Sequence, residues 1–169
     1  MRELIIGGAR SGKSTLAERR AAESGLPVTY VATAASGDGE MAERIAQHRA
    51  RRPDHWVTVE APCELAASLE AHSEPGRLVL VDCLTLWLSN LLDDASRLEA
   101  ERRALLDALP RLPGALLLVS NEVGLGIVPD NALARRFRDA AGWLNQDVAT
   151  TCDRVTFVAA GLPMILKGN

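Results

Sequence analysis

Residues 4–14 read Leu-Ile-Ile-Gly-Gly-Ala-Arg-Ser-Gly-Lys-Ser: an apolar run that stops at two glycines and leads into an Ala/Leu/Arg/Glu-rich stretch of helical spacing. Gly7, Gly12, Lys13 and Ser14 fit the pattern GxxxxGK[ST], which stands where its chemistry needs it, directly after a strand and directly before a helix. Glycines let the backbone curl so that several N–H groups point inward at phosphate oxygens. Lys13 adds a positive charge toward the β and γ phosphates, and Ser14 offers a hydroxyl to Mg2+. The expected nucleotide-binding residues are therefore Gly7, Gly8, Ala9, Arg10, Ser11, Gly12, Lys13 and Ser14, with Lys13 also catalytic.

The rest of the chain agrees with such a start. Short apolar runs at 2–6, 28–32, 56–60, 77–82, 115–120 and 154–159 have strand length and β-branched content. Helical spacing occupies the intervals at about 13–24, 39–52, 62–73, 84–109 and 131–151. This alternation predicts an α/β fold, a three-layer P-loop NTPase-type domain with a mostly parallel central sheet flanked by helices. The closing GLPMILKGN is expected to add an edge strand, and residues 1–169 are read as a single domain. The run LVLVD ends in Asp82, placed to hold Mg2+ through water at a strand end; the alternative is a cap for the helix that follows.

Composition removes other classes. A net charge of −3 gives no global basic field for nucleic acid, and no apolar run approaches the roughly 20 residues of a membrane span. The apolar run after Met1-Arg2-Glu3 is too short for a signal peptide. Cys63, Cys83 and Cys152 are far apart and without metal-ligand spacing, which suits buried thiols in a reducing cytoplasm.

A phosphate loop alone leaves kinase, switch, motor and transferase open. The stretch EMAERIAQHRARRP, Glu40 to Pro53, narrows the choice. On a helix, His48 has Arg44 four residues before it and Arg51 and Arg52 three and four after it, so guanidinium groups flank the imidazole along one face. With Arg49 they form a patch suited to a polyphosphate. Like charges nearby disfavour the imidazolium, and a neutral imidazole is a nucleophile. His48 is thus either the group that attacks a nucleotide α-phosphate or a surface histidine on a basic helix.

GGARSGKS, RIxxHRxxRP within Glu40–Pro53, the strand end at Asp82, NEVGLGIVPDN (Asn121 to Asn131) and RRFRDAAGWLNQ (Arg135 to Gln146) occur in that order. Together they resemble the bifunctional adenosylcobinamide kinase and adenosylcobinamide-phosphate guanylyltransferase family of cobalamin biosynthesis, over nearly the whole chain. The resemblance implies two reactions. A γ-phosphate from ATP or GTP passes to adenosylcobinamide, and GMP from GTP then passes to adenosylcobinamide phosphate with release of pyrophosphate. It places a guanylylated histidine at His48 and nucleotide contacts at Ala32, Thr33, Ala34, Arg49, Ala50, Arg51, Arg52, Glu60 and Asp82, with Ser14 and Asp82 as Mg2+ residues. It also implies a homo-oligomer, a trimer by analogy.

Other features are read structurally or left open. NEVGLGIVPDN is either a substrate or nucleotide loop or a long turn whose Asn131 or Asp130 caps the next helix. Phe137, Ala141 and Leu144 have core spacing, and Trp56, Trp87 and Trp143 are expected to pack. A kinase without a covalent nucleotidyl step is the main competing reading; a guanine-specific switch is disfavoured because no [NT]KxD base reader is present.

Overall fold

A computed structural model describes residues 1–34 and 53–168 of the chain. The strands are β1 (Arg2–Gly7), β2 (Val28–Ala32), β3 (Val57–Glu60), β4 (Leu78–Asp82), β5 (Ala115–Asn121), β6 (Arg154–Ala159) and β7 (Leu162–Lys167). They form one sheet in the order β3-β2-β4-β5-β1-β6-β7. All neighbours pair in parallel except β6 and β7, which are antiparallel. The helices are α1 (Lys13–Glu23), α2 (Leu65–His72), α3 (Leu84–Leu91), α4 (Ala95–Ala108) and α5 (Ala132–Thr151).

Alternation along the central strands separates two cores. Leu4, Val79, Val81, Leu116 and Leu118 point to the side covered by α2, α3, α4 and α5. Ile5, Leu78, Leu80, Leu117 and Val119 point to the side where α1 packs through Leu16, Ala17 and Ala21. A fully buried Leu or Val side chain contributes about 1.5–3 kcal/mol relative to an exposed one. Burial on both faces therefore holds the leucine-rich β5 as a strand, although Leu is no strong strand former. In α5 the buried residues Ala141, Leu144, Asn145 and Val148 recur at three- and four-residue steps, one stripe of a helix. Trp87 is fully buried and donates its indole N–H to the Cys63 carbonyl at 2.6 Å.

Two expectations need correction. The helical stretch 84–109 is two helices, because Asp94 turns its side chain onto the backbone N–H groups of Ser96 and Arg97 and starts α4 afresh. Trp143 is 62% exposed and is no packing residue, in contrast to Trp56 and Trp87. Phe137, Ala141 and Leu144 do join the core or pack against it, and the last strand is the antiparallel β7. Among the described residues, no helix is long and apolar enough to cross a membrane.

The Asp94 cap has a pH signature. The Arg97 backbone N–H, then the Ser96 hydroxyl, hold its carboxyl below the ordinary value of 3.8. A carboxyl depressed in the folded state stabilises above its unfolded value and loses that contribution as pH falls through the folded one. Asp94→Ala is therefore expected to melt below the wild type near neutral pH, with the gap closing in strong acid. Thermal unfolding followed by circular dichroism across that range measures it.

Candidate active site

Parallel pairing brings the carboxyl ends of six strands to one edge, where open α/β sheets place their ligands. Gly7 of β1 lies opposite Asn121 of β5 and Val158 of β6, Ala32 of β2 lies opposite Asp82 of β4, and Glu60 of β3 lies opposite Ala32. The strand β5 stands between β1 and β4. The phosphate loop and Asp82 are thus two strand spacings apart, about 10 Å.

The loop is built by close fit. A Cβ on residue 7 would lie 2.5 Å from the Val158 carbonyl oxygen and 2.6 Å from Ser11 Oγ, so only glycine fits. Gly12 has φ 95°, a left-handed conformation that favours glycine, and Arg10 also has a positive φ of 56°. Ser11 N–H donates to the Gly8 carbonyl at 3.2 Å, and Gly161 N–H, in the β6–β7 turn, donates to the Ser11 carbonyl at 2.8 Å. The curl ends in α1, which begins at Lys13 with no side-chain cap and no acidic residue in its first turn. Its first N–H groups and its dipole are left for an anion. Lys13 is buried, with its ammonium donating to the Gly8 carbonyl at 3.3 Å; Ala9 and Arg10 are exposed and Ser14 is half-buried.

Asp82 is held from β2. Tyr30, the single tyrosine of the chain, donates its hydroxyl to Asp82 Oδ2 at 3.1 Å. Thr33 is fully buried, and its side chain is occupied with the backbone of Cys83, the N-cap of α3. Thr33 Oγ1 donates to the Cys83 carbonyl at 2.7 Å and accepts from the Cys83 N–H at 2.8 Å. Asn90 fixes the same corner by donating to the Thr33 carbonyl at 2.8 Å and to the Pro62 carbonyl at 2.9 Å. Cys83 is the N-cap residue of α3. Burial first, and then the Asp82 carboxylate, push the Cys83 thiol up to about 11, while Lys13 pulls it the other way. The thiol stays protonated at neutral pH and supplies no nucleophile.

One carboxylate and one hydroxyl, Asp82 and Ser14, make an oxygen donor set of the kind Mg2+ takes when substrate phosphates and water complete its shell. Among the described residues no group of three or more His, Cys, Asp or Glu could hold a metal ion alone. The donor set fits a metal that arrives with its nucleotide.

Of the other expected residues, Ala32 and Ala34 are half-buried near the β2 end, and Glu60 is exposed at the end of β3. His48, Arg49, Ala50, Arg51 and Arg52 lie outside the described residues. Tyr30, Asn90 and the contacts of Val158 and Gly161 with the phosphate loop were not legible at the site, because each acts across a non-local pairing. A pocket of about 360 Å³ lined by Ala21, Leu26, His55 and Trp56 lies by the C-terminal end of α1 and the start of β2, away from this edge.

On the β5 side, Glu122 N–H donates to the Gly7 carbonyl at 2.9 Å. Thr85 Oγ1 accepts from the Asn121 N–H at 2.6 Å and lies 3.3 Å from Ser120 Oγ. Residues 122–131 then lead to α5, whose N-cap Asn131 accepts from the Ala134 N–H at 2.7 Å. Arg135 donates to the carbonyls of Pro129 and Asp130, and Arg136 to that of Leu92; Arg138 pairs with its neighbour Asp139.

A family model described as cobinamide kinase / cobinamide phosphate guanyltransferase matches residues 3–166. The chain is 65% identical to the bifunctional adenosylcobalamin biosynthesis protein CobP of Pseudomonas aeruginosa, covering 100% of this chain and 99% of that one. It is 41% identical to the bifunctional adenosylcobalamin biosynthesis protein CobU of Escherichia coli, over 97% and 98% of the two chains. Among solved structures, the RadB recombinase superposes with a TM-score of 0.54 at 19% identity, covering 92% of this chain and 72% of that one. A Pyrococcus horikoshii protein superposes with a TM-score of 0.58 at 9% identity, covering 99% and 86%; these two likenesses concern the fold alone.

The fit around residue 7 yields a direct test. Gly7→Ala forces a shift of the Val158 carbonyl or of Ser11, and overpacking of this kind costs about 1–3 kcal/mol. Nucleotide affinity is expected to fall about tenfold or more while the far-ultraviolet circular dichroism is kept. Calorimetric titration with GTP measures it.

Proposed function

The chain belongs to the cobinamide kinase / cobinamide phosphate guanyltransferase family, and on that premise we propose how its residues divide the two reactions. The enzyme phosphorylates adenosylcobinamide with a nucleoside triphosphate and transfers GMP from GTP to adenosylcobinamide phosphate. The observation that supports the division of labour is the uncapped start of α1 at Lys13, on the same sheet edge as the strand end of Asp82.

In the phosphorylation, the loop from Gly7 to Ser14 grips the β and γ phosphates and Lys13 offsets the charge that grows on the bridging oxygen. The alcohol oxygen of the substrate forms a bond to the γ phosphorus, the β–γ bridge breaks, the alcohol proton leaves to solvent and the nucleoside diphosphate departs. Ser14 and Asp82 would hold Mg2+, which supplies further positive charge against the phosphates. Tyr30 and Thr33 fix the acid and the turn beside it, and Ala32, Ala34 and Glu60 border the nucleotide.

In the transfer, a neutral His48 nitrogen attacks the α phosphorus of GTP and the α–β bridge breaks, releasing pyrophosphate. Arg49, Arg51 and Arg52, with the backbone of Ala50, steady the leaving group. A phosphate oxygen of adenosylcobinamide phosphate then displaces the histidine to give adenosylcobinamide-GDP, so the two displacements balance without an external reagent. The reading extends to one catalytic domain over residues 1–169, acting as a homo-oligomer, by analogy a trimer, in the cytoplasm.

Incubation with α-labelled GTP followed by denaturation tests the covalent step. Label is expected to stay on the wild-type chain as an acid-labile, alkali-stable bond and to be absent from His48→Ala. A wild-type chain free of label would remove the guanylyl-histidine step and leave GMP transfer as a direct displacement. Lys13→Ala is expected to depress both the labelling and the phosphorylation of adenosylcobinamide; full-rate phosphorylation in that variant would remove the loop from its assigned role.

A further inference from the structure

Between β5 and α5 the chain turns three aliphatic side chains into solvent: Leu125, Ile127 and Val128 are 81%, 97% and 59% exposed. Chains of this kind seldom leave contiguous large aliphatics bare without a use for them, and this segment is fastened at both ends. Glu122 N–H is bonded to the Gly7 carbonyl, its carboxylate accepts from the Gly124 N–H, and Val123 packs on the core. At the far end Arg135 holds the carbonyls of Pro129 and Asp130, and Pro129 restricts Val128 to extended backbone. The apolar tip is thus presented from a fixed base that adjoins the phosphate loop.

We infer that Leu125, Ile127 and Val128 are the resting surface for the corrin macrocycle of adenosylcobinamide and of its phosphate. The inference rests on the family activity stated above and adds to it the place where the bulk of the substrate lies. In both reactions the reacting atom sits at the end of a side arm and must reach a nucleotide phosphate. The macrocycle is too broad to enter the loop, so it lies against the rim beside it. Its methyl-studded faces suit aliphatic side chains.

Charge favours the same occupant. Residues 121–131 contain Glu122 and Asp130 and no lysine or arginine, and Arg135, the cation bonded to this segment, is engaged on the Pro129 and Asp130 carbonyls at its base, so the tip suits a macrocycle whose cobalt centre makes it cationic better than a polyphosphate tail. A second copy of the chain is a poorer fit, since a stable interface engages about 20–30 residues a side and this tip offers three side chains.

The test uses the full chain with Leu125→Ser, Ile127→Ser and Val128→Ser combined. Equilibrium dialysis against adenosylcobinamide, followed by its own visible absorbance, is run beside titration with GTP. Adenosylcobinamide is expected to bind about tenfold more weakly, or worse, with GTP affinity and chain labelling from GTP unchanged. Unchanged corrinoid affinity overturns the inference and leaves the family activity standing; if the oligomer dissociates at the same time, the tip is a contact between copies. A wild type that binds GTP but no adenosylcobinamide overturns the activity and the inference together. Should the triple variant lose GTP binding as well, Ile127→Ser, at the most exposed position, carries the same comparison alone.

Discussion

The Val158 carbonyl oxygen stands 2.5 Å from the point where residue 7 would carry a Cβ, and Ser11 Oγ stands 2.6 Å from it. That absence of side chain lets β1 end flush against β6, lets the backbone turn back over its own strand, and delivers Lys13 to the start of α1. The same β1 end bonds Glu122, so the entry of the segment after β5 is set by the loop as well. A bulkier residue here would displace the phosphate cradle and the loop beside it together.

The carboxyl edge of the sheet is fastened largely by side chains that bond to backbone, with Tyr30–Asp82 and Thr85–Ser120 as pairs of side chains. Thr33 closes on both polar groups of Cys83, Asn90 closes on Thr33 and Pro62, and Thr85 takes the N–H of Asn121. Strand ends are where ladder hydrogen bonds run out, and buried backbone groups left there without partners would each cost about 1–3 kcal/mol. Short polar side chains meet that need and at the same time fix the direction in which the strand ends leave the sheet. Thr33, expected from resemblance to touch nucleotide, has its hydroxyl committed to this bonding.

How far the sequence could be read follows from the range of each interaction. The glycine pattern and its flanking strand and helix are local, so the strand, turn and helix around Gly7–Ser14 were legible, as were the six parallel strands and an added edge strand, whose antiparallel direction was not. The division of residues 84–109 into α3 and α4 depends on one aspartate cap inside a stretch of good helix formers, and leucine periodicity hid it. The insertion of β5 between β1 and β4, the hold of Tyr30 on Asp82 and the packing of residue 161 against the loop all join segments distant in sequence. No spacing rule reaches them. Trp143 was misread for the opposite reason, because a large aromatic on a helix is usually inside. His48 and its arginines come from sequence alone, where the motif leaves two readings open and the resemblance chooses between them.

The hydrogen bond from Gly161 to Ser11 joins the two extremities of the chain. A cradle built from the first fourteen residues is braced by a reversal eight residues from the last one, so the terminal hairpin is part of the nucleotide machinery rather than trim. Trimming of that hairpin would take the Gly161 brace away from the loop that Ser11 and Gly12 form.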